Sequence, residues 1–164
     1  MDNQETGKTV LCGHTGSNNR GCEAIVKSTV KLLKNEGITS DIATYRREDD
    51  IRAGLDAFGN LIEYRNYNGK QSLTRITNGI LKKVFHYDYP YEAYVQKDVF
   101  RAVKRSGSAV VIGGDTYCYG KNPCISTYNL LKYTRKINAK TFLWSCSIGE
   151  RDLDKDKIAS LKEY

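Results

Sequence analysis

No stretch of this 164-residue chain approaches the about eighteen consecutive apolar residues that a membrane-crossing helix needs. Met1 to Lys8 are polar and carry no apolar core of the kind a secretory signal requires, so a cytoplasmic protein is expected. Cysteine is sparse and badly spaced for bridging. There are five, Cys12, Cys22, Cys118, Cys124 and Cys146, an odd number with no C-x-x-C pair, which excludes a disulfide scaffold and leaves reduced thiols as the simplest reading. Cys12, His14 and Cys22 do not make a zinc site, since neither their spacing nor a fourth ligand fits, and no metal is expected. G-x-G-x-x-G, internal repeats, low-complexity tracts and any RNA- or DNA-binding motif are missing too.

What remains is the material of one ordinary domain spanning residues 1–164. With 40% hydrophobic and 27% charged residues, the chain can bury one core but hardly two. The formal charge is +7, and much of the surplus lies between Arg65 and Arg105, where nine basic residues face three acidic ones and Tyr67, Tyr87, Tyr89, Tyr91 and Tyr94 are interleaved. A solvated face, an anionic membrane surface or a saccharide accounts for this segment as well as a nucleic acid does. With no nucleic-acid motif present, nucleic acid is not the expected partner.

Short apolar runs alternate with helical stripes. The runs are Thr9 to Cys12, Asp41 to Tyr45, Leu61 to Tyr64, Ala109 to Ile112 and Thr141 to Trp144. Between them, Ile25, Val26, Thr29, Val30, Leu32 and Leu33 recur at helical spacing before Gly37. Val95, Val99, Phe100 and Val103 do the same before Gly107, and Leu130, Leu131, Thr134 and Ile137 form a third stripe. The alternation predicts an α/β fold: a Rossmann-like parallel sheet of about five strands with helices on both faces. A-V-V-I and T-F-L-W are continuously apolar, which predicts strands covered on both sides. Residues 66–95 exceed a usual connection and predict a helical insertion.

In an open parallel sheet, ligands bind beyond the carboxyl ends of the strands. Here those ends are followed by His14 to Gly21, by Arg46-Arg47, by Gly113-Gly114-Asp115-Thr116 and by Ser145 to Gly149. The first of these loops, G-H-T-G-S-N-N-R-G-C-E-A, leads into a helix, whose N-terminus offers unpaired N–H groups and positive dipole to an anion. Two glycines before Asp115 let backbone approach a ligand while the carboxylate accepts a hydroxyl proton. His14, Ser17, Asn18, Asn19, Arg20, Gly21, Gly113, Gly114 and Ser147 are the expected binding residues and Asp115 the expected catalytic one. Each also has a plainer reading. Asp115 can be a helix cap, His14 a structural hydrogen-bonding residue, Asn18 and Asn19 caps, and Arg20 a partner of Glu23. The thiols read as idle.

The order and spacing of C-G-H-T-G-S-N-N-R-G-C-E-A-I-V-K-S-T, A-V-V-I-G-G-D-T and T-F-L-W-S-C-S-I-G-E resemble the N-terminal half of the polysaccharide pyruvyl transferase family. Departures from the family's pattern are Cys22-Glu23 where Asp is common, Cys146 where Gln is common and Glu150 where Pro is common. The resemblance implies one half of a GT-B type transferase that moves the enolpyruvyl unit of phosphoenolpyruvate onto a sugar as a ketal, in exopolysaccharide or cell-wall glycan assembly. It implies no bound cofactor, phosphoenolpyruvate being the donor substrate, and a saccharide or lipid-linked saccharide as acceptor. It also implies a C-terminal domain, supplying Arg and His for the donor, that residues 1–164 do not contain; a truncated piece inactive by itself is therefore expected. The alternative is a non-catalytic Rossmann-like module binding a nucleotide or other phosphate ligand.

Overall fold

The computed structural model describes residues 7–65, 95–114 and 125–147. Within them, five parallel strands form one sheet: β1 (Lys8–His14), β2 (Thr39–Thr44), β3 (Asn60–Glu63), β4 (Ser108–Gly114) and β5 (Lys140–Cys146). Their order is β3-β2-β1-β4-β5, so the chain begins in the middle, works outward to β3, and returns to lay β4 on the other side of β1. This is the α/β Rossmann-like arrangement expected from the alternation of apolar runs and helical stripes.

Among the described residues, four helices connect the strands: α1 (Arg20–Asn35), α2 (Arg47–Arg52), α3 (Lys97–Ser106) and α4 (Ile125–Lys136), with a short 3-10 turn at Leu55–Ala57. α1 starts five residues before the first apolar residue of its stripe. The cause is Asn19, whose side chain caps the helix and lets a polar first turn join it. The stripe marks only the face that is buried, so it begins later than the helix does.

Alternation along the strands sorts the core into two clusters. Leu11, Ile42, Leu61, Val110 and Ile112 face Val26 and Val30 of α1 and Leu55 of the 3-10 turn. Val10, Cys12, Ala43, Ala109 and Val111 face Val99, Phe100 and Val103 of α3 and Leu130 of α4. Right-handed crossovers explain the division, because leftward steps from β1 and rightward steps from β4 place their helices on opposite faces.

One expectation fails at the edge. T-F-L-W was expected to be covered on both sides, yet Phe142 and Trp144 are 56% and 48% exposed. β5 is an edge strand, and they share a face with Val110 and Ile112, the α1 side of the sheet. α1 packs over the centre of the sheet and stops short of β5, and no other described helix follows it there. A continuously apolar strand therefore reports its composition and not how far its covering helices reach. The expected insertion at 66–95 lies, but for Val95, outside the described residues. Among the described residues, no helix is long and apolar enough to cross a membrane.

Candidate ligand-binding edge

β1 ends in a turn that only glycine permits. Gly13 has φ +92°, and a Cβ there would stand 2.2 Å from the carbonyl oxygen of Ile112 in β4. β1 and β4 thus run close together at Gly13 and Ile112. Three residues on, Gly16 has φ +118° and packs under the Arg46 side chain. These two positions fold Thr15 to Asn19 back over the end of β2.

The centre of that fold is Asp50, on the inner side of α2. Its Oδ1 accepts from the Ser17 amide at 2.8 Å, the Ser17 hydroxyl at 2.6 Å and His14 Nε2 at 3.0 Å. Its Oδ2 accepts from the Thr44 hydroxyl, which also accepts from the Arg46 amide at 2.9 Å. The His14 and Asp50 side chains are completely buried. Burial by itself would raise the Asp50 carboxyl, but the bonds from Ser17, Thr44 and His14 outweigh it and hold the group below its ordinary value. Next to it, Asp49 takes Asn18 Nδ2 at 2.9 Å and pairs with Arg46 and Arg52. One helical turn thus ties down the whole His14–Asn18 loop.

The start of α1 is occupied as well. Asn19 Oδ1 accepts from the Gly21 and Cys22 amides at 3.0 and 3.3 Å. Arg20, 90% exposed at its side chain, reaches Glu23 at 3.3 Å, and Glu23 takes Lys27 at 2.6 Å. Of the plainer readings, capping holds for Asn19 and the Glu23 pairing for Arg20. The first-turn amides that an anion would use are largely bound by the chain's own Asn19.

Gly113 and Gly114 end β4, and the Ser147 amide donates to the Gly114 carbonyl. The carboxyl ends of β1, β4 and β5 therefore lie along one edge of the sheet. That edge holds Ser17, Asn18, Asn19, Arg20, Gly21, Gly113, Gly114 and Ser147, with His14 turned inward to Asp50. Asp115 lies outside the described residues.

Three contributors at this edge escaped the sequence reading: Asp50, Thr44 and Tyr64. Asp50 sits in R-R-E-D-D, which reads as a solvated charge run, and only its buried partners distinguish it from Asp49. Tyr64, just past β3, is buried and stacks on Tyr45 with ring centroids 4.0 Å apart. Burial pushes its phenol well above the ordinary value and pushes the Cys12 thiol up to about 12, Tyr64 offsetting part of the latter.

An all-parallel sheet with its strand order reversing between β1 and β4, and with glycine-rich loops gathered at that reversal, defines an α/β domain built to present a ligand site at its carboxyl edge. Residues 19–164 match the family model described as polysaccharide pyruvyl transferase. The chain belongs to the polysaccharide pyruvyl transferase family, a family of transferases. No curated protein matches it significantly.

Proposed function

We propose that this chain is the N-terminal, acceptor-side domain of an enzyme that transfers pyruvate from phosphoenolpyruvate to a saccharide as a ketal. Family membership carries the reading. The alignment of the carboxyl ends of β1, β4 and β5 on one edge supports it. Two sugar hydroxyl oxygens bond to C2 of the enolpyruvyl unit, the bond from C2 to the phosphate oxygen breaks, C3 gains one hydroxyl proton to become methyl, and the other leaves with phosphate. Asp115 takes the proton of an attacking hydroxyl. Ser17 to Gly21, Gly113, Gly114 and Ser147 form the floor on which the substrates rest. A second α/β domain, facing this one in GT-B fashion, holds the donor's phosphate and carboxylate. The acceptor belongs to exopolysaccharide or cell-wall glycan assembly, met in the cytoplasm at an anionic membrane surface.

The test is a phosphate-release assay with phosphoenolpyruvate and saccharide acceptors, followed by mass analysis of the acceptor. Residues 1–164 alone should turn over nothing, whereas the protein carrying the second domain should release phosphate and leave a pyruvylated sugar. A two-domain protein that leaves every acceptor unmodified would end this reading.

A further inference from the structure

Beside Asp50, but separated from it by the end of β2, lies a pocket of about 550 Å³ that none of the expected site residues lines. Its walls are Arg47, Ile62, Glu63, Tyr64, Arg65 and Asp98. Arg65 and Asp98 close one side as a two-pronged pair, Nε to Oδ2 at 2.7 Å and the second nitrogen to Oδ1 at 3.0 Å. Arg47, the first residue of α2, and Glu63, the last of β3, are exposed and make no hydrogen bond or ion pair among the described residues. Behind them stand Ile62 and Tyr64, whose ring stacks on Tyr45.

We propose that this pocket binds a neutral pyranose ring, a non-reacting unit of the acceptor saccharide of the transfer proposed above, on which this inference rests. Volume admits it, since small-molecule sites span about 300–1,000 Å³. Charge selects it. Two guanidinium groups face two carboxylates, so the pocket carries no net charge and has no preference for a phosphate or a phosphorylated donor, which Glu63 and Asp98 would repel. Hydrogen-bonding capacity selects it further. Arg47 can only donate and Glu63 only accept, and adjacent sugar hydroxyls do both at once, whereas a phosphomonoester dianion can only accept. The part-exposed Ile62 gives the C–H face of a ring an apolar contact.

The experiment is an amide-resolved NMR titration of the full 164-residue chain with the methyl glycosides of glucose, galactose, mannose and N-acetylglucosamine, and separately with inorganic phosphate, all without phosphoenolpyruvate. At least one glycoside should shift Glu63, Tyr64 and Arg65 saturably in the millimolar range, and phosphate should shift none of them. Glu63→Gln and Arg47→Ala should each weaken that glycoside about tenfold, the effect of losing one charged hydrogen-bonding partner, while leaving the melting temperature unchanged. Four glycosides without a saturable shift there, phosphate competing for the pocket, or unaltered affinity in both variants would overturn the proposal. Because only binding is read, an enzyme that fails to transfer pyruvate leaves this result standing, and an empty pocket leaves the transfer assay to be judged separately.

Discussion

His14 Nε2 lies 3.0 Å from Asp50 Oδ1, a bond that joins the end of the central strand to α2 across 36 positions of sequence, with neither side chain touching solvent. Around it, Ser17 and Thr44 complete a carboxylate that accepts four hydrogen bonds from two separate segments, the His14–Asn18 loop and the end of β2.

Asp50→Ala should therefore be one of the costlier substitutions in the chain. It strands the Ser17 amide, two hydroxyls and an imidazole in a buried site, and a loss of about 2–4 kcal/mol is expected. Urea denaturation followed by circular dichroism measures it. A loss below 1 kcal/mol, the size of an exposed pair, would show that water replaces the carboxylate without penalty.

The same carboxylate sets an acid limit. Its value in the folded chain is below the unfolded one, so its stabilisation is complete above the unfolded value of about 3.9 and fades as pH falls through the folded one. Asp50→Asn lacks that ionisation. The stability gap between parent and Asp50→Asn should be constant from neutral pH down to about 5 and shrink below about 4. A gap that widens on acidification would reverse the assigned direction.

Gly13→Ala should disrupt the sheet centre. The added carbon meets a backbone oxygen that belongs to a neighbouring strand, and the positive φ is strained for any side chain. The expected result is insoluble protein or a melting temperature lowered by ten degrees or so, consistent with several kcal/mol in a small domain. Gly37→Ala, at positive φ with nothing nearby, should cost much less.

Thiol labelling separates Cys12 from Cys22. Cys12 is buried and its thiol is pushed up to about 12, so iodoacetamide at pH 8 should leave it unmodified in the native chain and alkylate it in urea. Cys22, partly exposed beside Thr15, should react without denaturant. Peptide mass spectrometry distinguishes the two, and equal native labelling would contradict the burial of the β1 core.

Asp115→Asn, in the protein with its second domain, should keep the fold and lower turnover by about a hundredfold or more if the carboxylate removes the hydroxyl proton. Steady-state phosphate release gives the comparison. Near-normal turnover would return Asp115 to the role of a helix cap.

The architecture was legible because apolar runs and helical stripes are direct images of burial, and parallel strands force their carboxyl-end loops to one edge. All five runs became strands, and the Ile25 to Leu33 stripe became the inward face of α1 except at Leu32, which is exposed. Side-chain destinations at the edge were not legible in the same way. His14 reads equally as ligand and as structure until Asp50 is brought to it. Asp50 itself is hidden in R-R-E-D-D because sequence records which charges are adjacent but not which one the helix turns inward. The stacking of Tyr64 on Tyr45 was hidden for a similar reason, since the partners lie on neighbouring strands and share no spacing rule. The cover over β5 failed to follow from T-F-L-W because it depends on how far a helix from another part of the chain extends.

That uncovered strand gives the protein an optical property. Trp144 is its one tryptophan, half exposed on the open face of β5 close to the edge where the ligand loops gather. Its fluorescence therefore comes from a single, water-facing place, and any surface that settles on β5 must move the emission to shorter wavelength without a second indole to blur the change.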